Sequence, residues 1–567
     1  MLKQLLEYAQ LEGMASEPGF VSKVVHYALD IDADGGGASL TALGDGKGRR
    51  YDRCPNLSHP EMIAGGVKRS QFLIESVSVA LLLAKTEEDE LKALARREFF
   101  LGLLDEAAEQ DSRLGPLKTC ARYLRDPVEL ARLQHQARAD KLKLTDQISL
   151  WFDGIDLLAE GEWMDWWRSF RARQSQSSPK KASDEQMLDL LTGELITPAR
   201  THFKISGLAG IGGLGTGDSL VSFDKAAFQS YGLDQSLNAA MSEGSARLYA
   251  DVLNQLLSRS QKFAKVKICH WYSRKVLEDP FDFVLDPRAD EINFGEMIAR
   301  LRQISSQKED SSTNFFCLSL SGSSGRVMVR DWNEGNLQEL RQHVAQWYTD
   351  LQIVSSRDGA PARPPKLFAV LASLYRDADD IVDNLALHLF RAATRGLPIP
   401  MTALSQAVQR FKIDLIRDQT MNTARMGLMK AYFVRKEGGF PLQSLVSNDH
   451  PEPAYHCGRL LATLARLQTR ALGDVGAGVV QRFYGASSQA PALTFGRLLA
   501  GSQHHLNKLE SPKIRHWYEA RIAEIVAGIG PQLPRSLSLE KQALFALGYY
   551  QQIAQLNQKT QNETSEE

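Results

Sequence analysis

Apolar positions along the chain change their period near residue 360. Before that point several short runs are rich in β-branched and aromatic residues: VVHYALDID (Val24 to Asp32), SLVSFD (Ser219 to Asp224), VKICHWY (Val266 to Tyr272), FFCLSLSG (Phe315 to Gly322) and VMVRDW (Val327 to Trp332). Runs of this kind predict strands, and helical stretches alternate with them. Beyond residue 360 the spacing becomes three and four. In TFGRLLAGSQHHLNKL the residues Phe495, Leu498, Leu499, Ser502, Leu506 and Leu509 fall on one face, and in HCGRLLATLARLQTRAL the face is Leu460, Leu464, Leu467 and Ala471. Amphipathic helices joined by short turns predict a bundle. The expected fold class is α+β: a mixed α/β N-terminal region followed by an all-α C-terminal helical bundle.

Composition shifts divide this pattern. RARQSQSSPKKASDEQ (Arg171 to Gln186) is polar and non-periodic, SSQKEDSST (Ser305 to Thr313) reads as an exposed loop, and SSRDGAPARPP (Ser355 to Pro365) holds three prolines that exclude a through-helix. The regions expected are 1–170, 187–355 and 366–553, with a disordered tail over 554–567. No fixed-period repeat is present, which disfavours a solenoid or propeller.

The chain has 567 residues, 43% of them hydrophobic and 24% charged, inside the ordinary globular range. Its 67 basic and 68 acidic side chains give a formal net charge of -1, which excludes a generally basic arm. Charge is uneven, however: residues 401–559 carry about 19 basic and 10 acidic groups, roughly +9. On the two helices quoted above Arg459, Arg466 and Arg470 share a face, as do Arg497, His504 and Lys508. Each set is either a solvated helix face or a track for a polyanion. Five cysteines lie far apart with no CxxC pair, so neither a disulfide framework nor a zinc knuckle is indicated and a reducing cytoplasm is expected. The longest apolar run, SVSVALLLA (Ser76 to Ala84), falls well short of the ~20 residues that span a bilayer. MLKQLLEYAQLEG lacks the apolar core of a secretory signal, so no membrane partner is expected.

Two familiar signatures fail on inspection. Gly210, Gly212 and Gly215 satisfy GxGxxG, but a dinucleotide site needs the last glycine to open a helix, and the strand-like SLVSF follows instead. Gly217, Asp218, Ser219 and Leu220 spell the GDSL block of an esterase family, yet no DxxH block supplies a base anywhere in the chain. His504 and His505 are adjacent and point apart on a helix, which argues against shared metal ligation. Trp163, Trp166 and Trp167 sit beside Glu162 and Asp165, a setting that favours core or interface anchors over base-stacking platforms. No cofactor, metal or catalytic residue is expected.

The glycine-rich run gains meaning when read with its sequel, DKAAFQSYGLDQSLNAAMSEGSA (Asp224 to Ala246). LVSFD, AFQSYG, DQSLNAA and SE follow in order, with PAYHCGRLLATLARLQ, RFYGASSQAPALTFGRLL, SQHHLNKL and LSLEKQALFALGYYQQ further on. In these motifs, over nearly its whole length, the chain resembles the large subunit of the type I-C CRISPR surveillance complex, Cascade (the Dvulg-subtype large subunit family). Asp224 stands where that family usually has Asn after SF, and Gln71 where many members have Asn.

The resemblance implies a non-catalytic subunit of an RNA-guided complex that checks a short protospacer-adjacent motif (PAM) of the TTC type. It would start duplex opening, hold the displaced strand and help recruit the helicase-nuclease. Implied partners are CRISPR RNA and double-stranded target DNA, the backbone and 5′-handle-binding Cascade subunits, the helicase-nuclease, and copies of a small subunit made by internal translation of the same gene. A·T pairs present only acceptors in the minor groove, so donors are the suitable readers. GGVKRSQF (Gly65 to Phe72) offers Lys68, Arg69, Ser70 and Gln71; it is either a DNA-reading loop or an exposed turn before a helix. GLDQSLNAA offers Gln235 and Asn238, either as a duplex-splitting turn or as amides satisfying local backbone. Gly210, Gly212, Gly213, Gly215 and Gly217 either let backbone approach phosphate or permit tight turns. For the small subunit, a start in the loop SLVSNDHPEP (Ser444 to Pro453), at Leu445 or Val446, is expected to spare whole helices, whereas Met421, Met426 and Met429 lie in a helical pattern. Two other classes compete: a hydrolase using Ser219, and a helical scaffold that reads no DNA.

Overall fold

The computed structural model describes residues 1–564 apart from 15–16, 35, 58–61, 63–68, 177–185, 286–293, 306–311, 418–419, 439–441 and 474. Two compact units emerge, one formed by 1–206 with 216–255 and the other by 207–215 with 256–567.

The first unit begins with α1 (Leu2–Leu11), β1 (Phe20–Val25), β2 (Tyr27–Ile31), β3 (Ala38–Ala42) and β4 (Arg49–Pro55). Then come β5 (Ile74–Ser76), the single turn α2 (Val77–Ala80), the helices α3 (Glu87–Gln110), α4 (Pro116–Arg125) and α5 (Pro127–Ala139), and β6 (Gln147–Phe152). β1 pairs with β4 in an antiparallel ribbon. A separate sheet runs β3-β2-β6-β5. Within it β2 and β6 are parallel, with Leu29 opposite Leu150, a pairing that requires a long crossover, here supplied by the helices. Local chemistry starts those helices. Thr86 accepts from the Asp89 amide at the head of α3, whose first turn carries Glu87, Glu88, Asp89 and Glu90, placing anions at the positive end of the dipole.

After β7 (Ile155–Asp156) and α6 (Leu157–Glu160), α7 (Met164–Gln176) drives its aromatic face into the core. Trp163 and Trp167 are wholly buried and Trp166 nearly so. Phe72 stacks on Trp167 with centroids 5.7 Å apart, and the Trp167 indole N–H donates to the Gly19 carbonyl at 2.7 Å. The tryptophans are therefore core anchors. Short ribbons β8 (Met187–Leu188) with β9 (Leu195–Ile196) and β10 (Lys204–Ile205) with β11 (Asp218–Ser219) follow, then α8 (Glu243–Arg259), whose last turn enters the second unit. SLVSFD is strand only over its first residue, because β10 offers β11 two residues to pair with.

In the second unit β12 (Gln261–Phe263) and β13 (Val266–Tyr272) precede α9 (Pro280–Leu285) and α10 (Phe294–Ser305), and β14 (Asn314–Ser323) and β15 (Arg326–Asn336) complete the antiparallel order β12-β13-β14-β15. The strands expected at 266–272, 315–322 and 327–332 are thus all present. Helices then take over: α11 (Leu337–Leu351), α12 (Leu367–Ala372), α13 (Asp383–Arg395), α14 (Met401–Ile416), α15 (Thr423–Arg435), α16 (Pro453–Leu472), α17 (Val479–Ser487), α18 (Pro491–Asn507), α19 (Pro512–Ile529) and α20 (Leu539–Thr564). The fold is α+β, as the change of period implies.

Two boundaries differ from expectation. The proline-rich segment near 360 separates no cores, since one continuous apolar cluster runs from Phe263 through Phe390 and Leu460 to Tyr550. The segment folds back on itself as a turn, with Val354 bridged to Pro361 and the Tyr550 hydroxyl donating to the Val354 carbonyl at 2.8 Å. The residues 554–564, expected to be disordered, continue α20.

α16 is the axis of the bundle. Every residue from Ala454 to Leu464 is buried, so this helix has no solvated face over its first three turns. Its crossing with α20 depends on two glycines. A Cβ on Gly458 would sit 1.9 Å from the Phe545 carbonyl oxygen, and one on Gly548 would sit 2.0 Å from that of Tyr455.

Candidate nucleic-acid interface

The donor loop of the first unit is organised by one carboxylate. Glu75, 3% exposed on β5, accepts from the Ser70 hydroxyl at 2.8 Å and the Gln71 amide at 3.2 Å through Oε1, and from the Ser76 amide at 2.8 Å through Oε2. Arg96 faces the same carboxylate at 3.4 Å. Ser70 is wholly buried, which corrects its expected place among DNA-facing donors: its hydroxyl shapes the loop. The half-buried Gln71 uses its side-chain carbonyl to accept from the Leu57 amide at 2.8 Å. The Arg69 guanidinium lies over the Phe99 ring, 5.8 Å from its centroid. Lys68, with the preceding Gly65 to Val67, lies outside the described residues.

The second candidate, the turn following Asp224, is built differently. Asn238 is its clamp: its carbonyl oxygen accepts from the Ser230 amide at 2.8 Å, and its NH2 donates to the carbonyls of Leu233 at 2.7 Å and Gln235 at 2.9 Å. The local-backbone role holds for this amide. Gln235 is exposed and adopts φ 48, a left-handed conformation that is uncommon for a side-chain-bearing residue. The turn is anchored below by Ser236, 2% exposed, whose amide donates to the Arg200 carbonyl at 3.2 Å.

The glycines of the rich run divide by function. Gly212, at φ 90, has no room for a Cβ, which would meet the Gly322 carbonyl oxygen at 2.6 Å; conversely a Cβ on Gly322 would meet Gly213 at 2.2 Å. Here the loop lies backbone to backbone on the β14–β15 hairpin. Gly217, at φ 89, packs on Lys204 and Ile205. Gly210 and Gly215 face open space and have ordinary φ. Gly210 and Gly212 also line a cleft of about 550 Å³ with the exposed cations Lys262, Lys265 and Arg330 and the acids Asp379 and Asp383. The cations of this cleft had no signal in the sequence, because each belongs to a different strand or turn and only the sheet brings them together. Downstream of the run a strand, and no helix, follows. Ser219 pairs with Lys204 across β10–β11, and the nearby His202 bonds the Tyr249 hydroxyl at 2.9 Å.

On the bundle, the expected basic face divides between interior and surface. Arg459 is 1% exposed and cannot belong to a solvent-facing track. It donates to Gln552 at 3.0 Å, Asn448 at 2.6 Å and the Ser447 carbonyl at 3.3 Å, and contacts His456 at 3.1 Å and Glu524 at 3.5 Å. Periodicity alone placed it with Arg466 and Arg470 because it lies on the same stripe; burial of the first half of α16 on all sides removes it from the surface. Arg466 is half-buried and donates to Asn557 at 2.8 Å. Arg470, Arg497, His504 and Lys508 are exposed, with Arg497 over the Phe483 ring at 5.8 Å. Among the described residues no group of three or more His, Cys, Asp or Glu is placed to hold a metal ion, the five cysteines are free and buried, and no helix is long and apolar enough to cross a membrane.

An internally braced donor loop, a clamped exposed turn and exposed cations on the bundle are the parts the structure sets out, and the class of protein comes from comparison with known families. The chain matches a family of CRISPR-associated proteins, and the match extends over residues 2–557. The family is that described as CRISPR-associated protein Cas_Csd1, and this chain belongs to it. No curated protein matches the chain.

Proposed function

We propose that the protein is the non-catalytic large subunit of a type I-C CRISPR interference complex, which recognises the PAM, begins opening of the target duplex and holds the displaced strand. Membership of the Csd1 family over residues 2–557 carries this reading. In it, sequence recognition beyond the PAM is delegated to guide pairing, so the subunit needs few base contacts and many backbone contacts. The N-terminal loop supplies PAM contacts through Lys68, Arg69 and Gln71; the Gln71 carbonyl oxygen stays on the Leu57 amide, and its NH2, which faces the Met62 sulfur at 3.5 Å, is the donor offered to a base. Gln235, held at the tip of its turn by Asn238, enters the duplex. Arg470, Arg497, His504 and Lys508 follow the displaced strand, with Gly210 and Gly215 free to approach phosphate. Guide RNA, the backbone and 5′-handle-binding subunits, the small-subunit copies and the helicase-nuclease are the partners, and the cytoplasm is the compartment.

The test is a reconstituted complex with guide RNA and targets differing only at the PAM. PAM-dependent binding that Gln71→Ala relaxes, and opening that Gln235→Ala impairs, are the expected results. PAM-independent binding would favour a scaffold. Loss of an esterase activity on Ser219→Ala would favour the hydrolase.

A further inference from the structure

The turn clamped by Asn238 carries an exposed aromatic side chain besides Gln235. Tyr231 is 99% exposed. Leaving a whole aromatic ring in water is unusual in a folded domain, because such rings supply much of the apolar burial that holds a core together. Its backbone is also unusual: φ is 57 at Tyr231, followed by 71 at Gly232 and 48 at Gln235. For tyrosine the left-handed region is uncommon and needs surrounding bonds to hold it.

Those bonds are present on both sides of the ring. Asn238 takes the amide of Ser230 immediately before Tyr231 and the carbonyl of Leu233 two residues after it. The Leu233 amide closes on the Ser230 carbonyl at 3.0 Å, and the Gln229 side chain donates to the Phe223 carbonyl at 3.1 Å. The ring is thus presented from a backbone fixed before any partner arrives. Its chain neighbours are Ser230 and Gly232, which leave it little side-chain company.

What the ring would receive follows from the charges around it. Asp234 is exposed on the turn, and upstream the exposed Asp224 is followed by the exposed Lys225, so the segment gathers no positive charge to draw a phosphate, and a flat, uncharged group is the better match. A nucleobase is such a group, and base stacking on an aromatic ring is tolerant of sequence because every base has a π-face. Side chains that enter a base step must replace the stacking they disrupt. An amide alone replaces hydrogen bonds only; a ring four residues before it replaces the stack.

We propose that Tyr231 stacks on the first base unpaired when the target duplex opens, while Gln235 occupies the vacated step. This rests on the assignment of the turn as the opening element. The experiment uses the complete guide-loaded complex and a target with 2-aminopurine at the first position beyond the PAM. Tyr231→Ala is expected to lower the opening rate or extent by about tenfold, with initial PAM-dependent association and the thermal midpoint unchanged, and Tyr231→Phe or Tyr231→Trp to retain opening. If Gln235→Ala impairs opening and Tyr231→Ala does not, stacking is overturned and the turn keeps its role. If neither variant changes opening, both assignments fall. If Tyr231→Ala abolishes assembly of the complex before DNA is added, Tyr231 is a subunit-docking residue and the stacking proposal is overturned.

Discussion

The Ser70 hydroxyl donates to the Glu75 carboxylate at 2.8 Å, and both side chains are buried. Because the same carboxylate also holds the Gln71 and Ser76 amides, its removal leaves several donors without acceptors. Glu75→Ala is expected to cost about 2–4 kcal/mol and to raise amide exchange across 70–76. Ser70→Ala, which removes one bond, should cost about 1 kcal/mol. Hydrogen-exchange mass spectrometry with denaturant melts checks both, and equal costs would mean that Glu75 is not the hub.

Glycine substitutions separate packing from ligand approach. Gly212→Ala and Gly322→Ala meet backbone that no rotamer can relieve, so both should lower the thermal midpoint. Gly210→Ala and Gly215→Ala meet nothing and should fold normally. Any loss of DNA affinity in these last two reports on the approach of backbone to nucleic acid.

Arg459 and its neighbours on the bundle should respond oppositely to alanine. Arg459→Ala leaves the carbonyl oxygen of the buried Gln552 without its donor and opens a space where a wholly buried guanidinium packed, and it is expected to destabilise by about 2–4 kcal/mol. Arg470→Ala, Arg497→Ala and Lys508→Ala should each change stability by less than about 0.5 kcal/mol. Together they should reduce the salt dependence of strand capture, since fewer counterions are released. An unchanged slope in log affinity against log salt would make these residues ordinary solvated cations.

Acid should destabilise the fold through two histidines. Burial pushes His202 and His450 down from about 6.5 to about 4. The His450 Nδ1 accepts from the Glu452 amide at 3.1 Å, a bond that requires the neutral ring. Below pH 6.5 the unfolded chain takes up protons that the folded chain refuses, so stability falls as pH drops toward 4. The loss is up to about 3 kcal/mol for each histidine. Thermal melts of wild type and His450→Phe between pH 4 and 7 should show a shallower decline in the variant, which keeps the ring against Tyr455 but cannot titrate.

A C-terminal fragment is expected from the same gene, with its start in the loop near Leu445 or Val446. Met421 proves to lie outside α15, before the cap Asn422, so a start there would also spare the helix. It would nonetheless separate α15 from the upstream groups that hold it, since Lys430 donates to the Asp350 carbonyl at 2.7 Å and Arg435 pairs with Asp350 at 2.6 Å. A start near 445 keeps α16 with α19 and α20, its main neighbours. Intact mass of products carrying a C-terminal tag locates the start, and a value placing it at Met421 or earlier would refute the loop argument.

Residues differ in how much of their role the sequence discloses. The strands β13, β14 and β15 were legible because β-branched and aromatic runs of that length fit little else. The Trp163, Trp166 and Trp167 cluster was legible as core or interface anchors, and not as base platforms, because its polar neighbours are acidic; that it is core was settled by its burial. Arg459 was misread because its own helix supplies only periodicity, and burial on every side is decided by α19 and α20. Glu75 gave no sign, lying in an apolar run where a lone acid looks like an exception. Tyr231 read as part of a turn motif, since neither exposure nor a left-handed φ can be deduced from the letters YG.

Gly458 and Gly548 carry a consequence for how this gene can drift. An alanine codon is one base change from glycine, yet at either position the new methyl would fall within 2.0 Å of a carbonyl oxygen on the facing helix. The obstacle is main chain, so no rotamer shift elsewhere can compensate. Only a wider crossing would admit the methyl, and that would part the seam along both helices. Selection should therefore guard these two codons as strictly as it guards those for reactive groups, and descendants that lose one should have rebuilt the crossing rather than tolerated the change.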